Sequence, residues 1–442
     1  MTDDRELIDL ADWAVSAALR LGAEEVAASA SRSDQIQLAW RAGKIEQASE
    51  AVSRGLSVAV LVGDRYTSNA TSDLRKSALS SFLADCVAAA RELEPDVARR
   101  LPAPEECGRG ASEAELDLDD PVWLTRTPDQ RAADVAGLEA AIAERPAGDV
   151  VSTAANLAEG RGVSVRVTSG GFSELTRGAW FSLGGETTLR DGERRPEAAV
   201  GYAARYYRDL PSLPFIADDL RVRAEERLGS GPVSSGVYPA IIENRVAGRI
   251  LGLLLGPIAG ITLHEGRSCF RRSLGEPVGS SLLTILDDPL IPRGLASHAW
   301  DGDGRRPVRR EIVAKGVLRS FYLNTYYARK LGMTPTSGGR SNWVVEAGPR
   351  PWQAVAADWP QAILVTGFLG GNANPTTGDF SFGIRGRLVE NGVPTKALSE
   401  MNMAGNLGQI LHDLVALGDD VWTYGSTQSP ALIFGGVRFS GK

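Results

Sequence analysis

The segment Ala247–Gly260, AGRILGLLLGPIAG, is apolar and carries a glycine at every fourth position. A glycine inside a helix costs about 1 kcal/mol relative to alanine, so repeated glycines need a compensating reason. At this spacing they form one slowly drifting stripe on a helix, along which a neighbouring backbone can pack closely. We therefore predict a buried helix over Ala247–Leu255 whose glycine stripe supports packing. The stripe comprises Gly248, Gly252, Gly256 and Gly260.

The composition of the chain is that of an ordinary soluble protein, and its 442 residues suggest two or three domains. A net charge of −7 without a dense Lys/Arg run disfavours nucleic-acid binding. Arg245 and Arg249, together with the short apolar length, argue against a membrane helix. The N-terminal MTDDRELIDL has acids where a signal peptide needs basic residues, so we expect a cytoplasmic protein.

The cysteines are few and widely spaced, which fits a reducing compartment without disulfides. Their number is odd, and we expect them to be small buried side chains. They are Cys86, Cys107 and Cys269.

Apolar residues at helical spacing predict four helices before residue 230. These helices span Glu6–Leu21, a stretch from Thr71 or Ser72 to Pro95, Asp129–Glu144 and Leu210–Gly229. Between them, short alternating stretches with polar or glycine breaks predict antiparallel strands. The Gly/Ser/Pro-rich SGPVSSG at 230–236 marks the boundary between an N-terminal α+β domain, 1–230, and a C-terminal domain, 231–442.

The second half contains β-like segments separated by glycine-containing turns. Glu390-Asn391-Gly392, between GRLV and VPTKAL, predicts a β-hairpin. The whole chain is therefore predicted to be α+β, with mainly antiparallel sheets and packed helices.

Few residues could support a histidine-dependent mechanism, since the only histidines are His264, His298 and His412. The stretch LHEGRSC resembles the start of a zincin helix, in which two histidines bind zinc and a glutamate is the base. Its second histidine is missing, and Gly266 would break the helix. A metal site at His264 and Cys269 lacks a third ligand, and Cys269 as a nucleophile with His264 or His298 as base is weaker than a packing role.

Three further stretches are better explained as turns than as ligand sites. The glycine-rich segment 367–383 lacks the lysine of a P-loop and the setting of a dinucleotide fingerprint. Acidic turns lack EF-hand spacing, so capping and turn chemistry explain them better. Their acids are Asp287, Asp288, Asp301 and Asp303.

Several stretches in the same order resemble the TldD/PmbA family, which includes zinc-dependent peptidases and their partner subunits. The resemblance covers nearly the whole chain and implies the family's fold, with 231–442 as its metallopeptidase domain. The N-terminal stretches are 6–29 and 55–74. The C-terminal stretches are LLTILDDP (282–289), WDGDG (300–304), 313–332, TSGGR (336–340), 376–392, MAGNL (403–407) and 430–442.

The resemblance also indicates which positions of Ala247–Gly260 correspond to the zinc ligands and the catalytic base. Catalytic members carry two zinc histidines and a glutamate base there, in the pattern HExxxH. In this chain Gly252 and Pro257 take the positions of the histidines, and Leu253 takes that of the glutamate. A further cysteine ligand falls near Tyr424. None of Gly252, Leu253 or Pro257 has a side chain that can bind zinc or move a proton.

These substitutions match the PmbA or TldE side of the family, whose members pair with a catalytic relative. The resemblance thus implies a subunit that is inactive alone, holds no zinc or other cofactor, and forms a heterodimer with a zinc-containing TldD-like partner to act on peptides. Two alternatives stay open: a homodimeric binding or scaffold protein, and a peptide-tailoring or natural-product hydrolase with an unidentified site. No nucleic-acid or membrane partner is expected.

Overall fold

The structure is a computed structural model that describes residues 2–145 and 147–441 of the chain. The first part of the chain forms one six-stranded antiparallel sheet with strand order β3-β2-β1-β4-β5-β6. Its strands are β1 (Glu25–Arg41), β2 (Lys44–Val62), β3 (Arg65–Thr71), β4 (Val150–Thr168), β5 (Ser173–Leu189) and β6 (Glu197–Ala204). Its helices are α1 (Thr2–Arg20), α2 (Lys76–Glu92), α3 (Glu113–Leu116), α4 (Pro128–Ala143) and α5 (Leu213–Glu225).

Four of these helices cover one face of the sheet. α1 and α2 pack on one end, where Val165 is buried, and α4 and α5 pack on the other, where Leu157 is buried. Val165 and Leu157 are an even number of residues apart along β4, and alternate residues of a strand point to the same face of the sheet. Both helix pairs therefore lie on the same face.

The second part of the chain forms two sheets. One has the order β10-β9-β8-β11-β16, and the other has the order β14-β13-β12-β7-β17-β15. The strands are β7 (Gly236–Ile242), β8 (Ile285–Asp288), β9 (Arg310–Ala314), β10 (Val317–Leu318), β11 (Asn342–Val345), β12 (Gln361–Ala373), β13 (Asp379–Glu390), β14 (Val393–Asn406), β15 (Leu414–Leu417), β16 (Thr427–Gln428) and β17 (Leu432–Ser440). The helices are α6 (Asn244–Leu251), α7 (Gly260–His264), α8 (Thr325–Leu331), α9 (Trp352–Ala356) and α10 (Leu407–His412).

The larger of these sheets closes on itself, because β14 also pairs with β17, for example Met403 with Phe439. The strands β7, β12, β13, β14 and β17 therefore form a ring. Its pairs are antiparallel except β7 with β12. Side chains from this ring, from α6 and from the neighbouring sheet form the largest apolar core of the second half.

The predicted α+β class with mainly antiparallel sheets is confirmed. The hairpin at Asn391-Gly392 is also confirmed, since both residues have positive φ, 51° and 82°, between β13 and β14. Every described strand of the first sheet precedes residue 205, and every described strand of the other two follows residue 235. The boundary at residue 230 stays a prediction.

Some predicted boundaries are wrong. The short strands expected between residues 25 and 62 are two long ones, because the polar and glycine positions pair in register instead of breaking the ladder. α2 begins at Lys76 rather than near Thr71, which still belongs to β3. α5 is shorter than expected, because Ser212 and Pro214 set its start. Among the described helices, none has both the length and the apolar character needed to cross a membrane.

The predicted helix Ala247–Leu255 is only partly correct. α6 ends at Leu251, a 3-10 turn covers Gly252–Leu254, and α7 starts afresh at Gly260. The four glycines therefore do not share one helical stripe.

The packing role predicted for the glycines holds at some positions and fails at Gly252. A Cβ atom at Gly260 would lie 2.6 Å from Cβ of Tyr327, and one at Gly256 would lie 3.0 Å from Cβ of Pro375. A Cβ atom at Gly248 would lie 3.3 Å from Cβ of Thr427, whereas at Gly252 it would meet nothing within 4 Å. Gly252 faces open space because the chain leaves the α-helix there.

We expect Gly252→Ala to leave the free energy of unfolding unchanged or to raise it by about 0.4–1 kcal/mol, since its backbone is helical and its surroundings are open. Gly260→Ala should lower it by about 1–3 kcal/mol, because the new methyl group overlaps Tyr327. Urea unfolding followed by circular dichroism compares the two variants. Equal losses would show that Gly252 is as closely packed as Gly260.

Candidate functional site

The two halves of the chain meet at the carboxylate of Asp219 on α5. It accepts a hydrogen bond from the Tyr202 hydroxyl of β6 at 2.7 Å. It also pairs with the guanidinium of Arg245 on α6, at 2.7 and 2.9 Å. Burial, together with this hydrogen bond, raises the pKa of Tyr202. Because Arg245 lies in the first turn of α6, the contact fixes the start of that helix against the first half.

Two aromatic residues from the C-terminal segment complete this junction. The guanidinium of Arg245 lies 4.3 Å from the ring centroid of Trp422, which suits a cation–π contact. The ring of Tyr424 stands edge-on to Tyr202, with centroids 4.9 Å apart. Trp422 and Tyr424 thereby pack on the apolar core under α4 and α5.

A cleft of 610 Å³ opens beside α6, next to this junction. Its size lies in the range of about 300–1,000 Å³ that is typical of sites for small ligands. Arginines and aromatic rings line it together with glycines and hydroxyl groups, and no described acidic residue does. The lining residues are Arg245, Val246, Gly248, Arg249, Arg340, Phe368, Gly370, Trp422, Gly425, Ser426 and Thr427.

Two of the three arginines bring positive charge that no carboxylate of the described chain neutralises through an ion pair. Arg340 donates hydrogen bonds to the hydroxyls of Thr427 at 2.6 Å and Ser426 at 3.1 Å. Arg249 is exposed and lies 4.6 Å from the ring centroid of Phe382. Because guanidinium groups bind carboxylates in a bidentate manner, the cleft suits an anionic group on a partly apolar ligand.

The cleft is not equipped for acid–base or metal chemistry. Its described lining includes no histidine, cysteine, aspartate or glutamate. Its hydroxyls, on Ser426 and Thr427, accept hydrogen bonds from Arg340, a cation that cannot act as a base. The arrangement can bind and orient a ligand.

The four positions assigned by the family pattern do not line the cleft. Gly252 and Leu253 lie in the 3-10 turn that follows α6. Pro257 is buried, and its carbonyl accepts a hydrogen bond from the Ser268 hydroxyl at 2.6 Å. Tyr424 packs at the junction described above. Zinc does not fit these residues, since glycine, leucine and proline side chains have no donor atoms and the tyrosine is part of an aromatic contact.

The alternative metal site does not assemble either. Within residues 2–145 and 147–441, no three side chains of His, Cys, Asp or Glu form a group that could hold a metal ion. α7 ends at His264, whose ring lies 6.1 Å from that of Tyr327, and Gly266 then takes a φ of +71°. Burial raises the pKa of the Cys269 thiol, which disfavours the reactive thiolate. His412 is exposed at the end of α10.

The cysteines are less buried than predicted. Cys86 is buried, but Cys107 and Cys269 are half-buried. Cys107 lies where the segment after α2 bridges to Arg305 of the second half, and that position leaves part of its side chain at the surface.

A second cavity of 420 Å³ adjoins the same arginine, Arg340, and contains the acids of the WDGDG motif. Asp301 accepts hydrogen bonds from the backbone N–H groups of Asp303 and Arg305, both at 2.9 Å. Burial raises the pKa of Asp301. Asp303 accepts the N–H of Thr325 at 2.8 Å. Both carboxylates therefore hold turns together, as the sequence predicts.

Comparisons with known proteins agree with this architecture. Residues 235–441 match the PmbA/TldA metallopeptidase C-terminal domain, and residues 26–93 match the PmbA/TldA metallopeptidase domain 1. A crystal structure from Bacteroides thetaiotaomicron, of a protein proposed to be a modulator of DNA gyrase, is 33% identical with a TM-score of 0.92, and the match covers 98% of each chain. The chain belongs to the PmbA/TldD family.

Other relatives are more distant. The metalloprotease PmbA of Escherichia coli O157:H7 is 28% identical over 97% of this chain and 96% of its own length. TldE from Thermococcus kodakarensis has a TM-score of 0.82 and is 18% identical, and the match covers 98% of this chain and all of that one. The latter likeness shows the fold alone.

Sequence reasoning missed the arginines of the cleft. Arg245 and Arg249 are four residues apart and therefore share a face of α6, a spacing visible in the sequence. Arg340 ends the TSGGR stretch, and nothing in the sequence shows that it reaches Thr427.

We expect Asp219→Asn to lower the free energy of unfolding by about 2–3 kcal/mol, since it leaves the half-buried Arg245 without its counter-charge. The neighbouring Asp218→Asn is the matched control, because Asp218 is 55% exposed and pairs with Arg145 at the surface. Its loss should stay below about 0.5 kcal/mol. Chemical denaturation measures both. A similar small loss for Asp219→Asn would show that the junction does not depend on this ion pair.

Proposed function

We propose that the chain is a non-catalytic subunit of a cytoplasmic TldD/TldE-type zinc peptidase complex that acts on peptides or peptide-like precursors. The observation that carries the proposal is the absence of donor atoms in the side chains of Gly252, Leu253 and Pro257, in a chain whose cleft is lined by arginines and aromatic rings. In this proposal a TldD-like partner contributes zinc and the hydrolytic step. The chain contributes the wall of the chamber and binds the substrate.

The cleft supports the binding role. Arg249 and Arg340 can hold a carboxylate of a peptide, while Trp422 and Phe368 offer apolar surface to its side chains. Gly370 also lines the cleft, and a Cβ atom there would meet nothing within 4 Å, so a peptide backbone has room to approach.

An exposed sheet edge supports association with a partner. β3 pairs only with residues 56–62 of β2, so the outer edge of residues 44–54 is left without a strand in the described chain. All eleven residues of that stretch are exposed. Proteins seldom leave a long strand edge uncovered, because its free N–H and C=O groups invite pairing. A partner subunit that covers this edge would satisfy them.

The decisive experiment compares the purified chain with a co-expressed TldD-like relative that retains HExxxH. The chain alone should hold far less than one zinc and should not cleave peptides, whereas the co-purified complex should contain zinc and hydrolyse them. Elemental analysis and a peptide cleavage assay read the two outcomes. One zinc per isolated chain, lost on His264→Ala, would favour the hydrolase alternative. A stable homodimer that does not bind the TldD-like relative would favour the scaffold alternative.

We expect the pair Ile45→Lys and Val52→Lys to weaken association with that relative at least about tenfold, because lysines on an edge strand oppose pairing. Their side chains are 47% and 54% exposed, so the fold of the chain should be unchanged. Val97→Lys is the control, since Val97 is 76% exposed away from this edge. Analytical ultracentrifugation compares the variants. Undiminished association would place the contact elsewhere.

A further inference from the structure

A second cationic cavity lies away from the cleft, between α5 and the ring of strands in the second half. Its volume is 190 Å³, below the range of about 300–1,000 Å³ that is typical of sites for drug-sized ligands. Four arginines and two glutamates contribute to its lining. The residues are Arg195, Pro196, Glu197, Arg223, Glu226, Arg227, Ser230, Thr366, Arg385, Gly386, Leu398 and Ser399.

The two carboxylates do not balance the arginines. Glu226 is already paired with Arg387 at 3.2 Å, outside the lining. Arg223 is neutralised by a bidentate contact with Glu243. The remaining Glu197 is exposed on the rim.

Arg227 and Arg385 are left in the cavity with no ion pair to any described carboxylate. Both side chains are only partly exposed. Burial, and then the positive charge of Arg385, lower the pKa of Arg227 to about 10. An adjacent carboxylate would raise this pKa, so its direction agrees with the absence of an ion pair at Arg227.

The backbone beneath Arg385 is irregular on both sides. In β12 the register skips Thr366, since Val365 pairs with Gly386 and Gly367 pairs with Arg385. In β14 two residues, Ser399 and Glu400, lie opposite Arg385.

Glu400 has a φ of 57°, a conformation that costs a non-glycine residue free energy. β-bulges redirect side chains and occur often beside binding sites. Here two of them, on neighbouring strands, flank the arginine that faces the cavity.

We propose that this cavity binds a small oxyanion of the phosphate class, held by the guanidinium groups of Arg227 and Arg385. Bidentate hydrogen bonds from planar guanidinium groups match the oxygens of a phosphate or sulfate. Ser230, Thr366 and Ser399 place hydroxyl groups along the same cavity. Because Arg227 follows α5 in the first half and Arg385 lies on β13 in the second, the bound anion would tie the halves together. The site is independent of the peptide-binding role proposed above.

The test measures thermal unfolding and titration calorimetry on the full chain, with inorganic phosphate against chloride at equal ionic strength. Phosphate should raise the midpoint of unfolding by about 2 °C or more and should give a saturable binding isotherm. Arg385→Gln and Arg227→Gln should each weaken phosphate binding at least about tenfold. Arg319→Gln, at an exposed arginine with no described ion pair, should bind phosphate like the parent chain.

Two results would overturn the proposal: no saturable binding to the parent chain, or binding that both cavity variants retain in full. If Arg385→Gln fails to fold, Arg385→Lys replaces it, since lysine keeps the charge but loses the bidentate contact and should still weaken binding. Phenyl phosphate distinguishes the source of the anion. Binding comparable to that of free phosphate would support recognition of a phosphate monoester, and binding of free phosphate alone would support an inorganic ion.

Discussion

The contact between Asp219 and Arg245 is the constraint on which the arrangement of the site depends. One carboxylate on α5 holds both a tyrosine of the first sheet and the first turn of α6. Once Arg245 is fixed, the rotation of α6 about its axis is fixed as well. Arg249 then follows one turn later on the same side, and Gly248 faces Thr427. Every lining residue of the cleft belongs to the second half, and the contact with Asp219 of the first half fixes how Arg245 is placed there.

In this chain the scaffold of the family is present, while the cleft offers no metal-binding side chain among the described residues. The helix α6, the C-terminal segment with Trp422 and the ring of strands are all in place, yet the polar side chains that line the cleft are cations and hydroxyls. A glycine at 252 in open space shows where a functional side chain could project without disturbing the core. The arginines give the cleft a preference for anionic ligands.

Much of the fold could be predicted from the sequence, because helical spacing and turn residues act locally. The helices near residues 2–20 and 128–143 and the hairpin at Asn391-Gly392 depend on such signals. The long strands β1 and β2 could not be predicted, since a glycine such as Gly55 breaks an isolated strand but is tolerated between two paired neighbours. The end of α6 at Leu251 was also missed. Apolar spacing continues past it, although Gly252, Gly256 and Pro257 all disfavour a continuous helix.

The candidate site, like the fold, could be predicted from the sequence only in part. The positions assigned to zinc ligands rest on the family resemblance and stay a prediction, whereas the partners of each arginine could not be predicted at all. Arg245 is neutralised by a residue 26 positions away, and Arg340 bonds to hydroxyls 86 and 87 positions away. Such long-range pairings decide which charges are free to meet a ligand.

The closed ring of strands can form only late in the synthesis of the chain. Its first strand, β7, starts at Gly236, but the ring closes only when β17, ending at Ser440, pairs with both β7 and β14. All strands of the first sheet have left the ribosome long before that, so the first sheet can form while the second half is still being made. Until β17 arrives, β7 and β14 each expose an unpaired edge next to apolar side chains. The nascent chain is therefore most prone to aggregation late in translation, and a product truncated before β17 would carry an open barrel that chaperones and proteases can recognise.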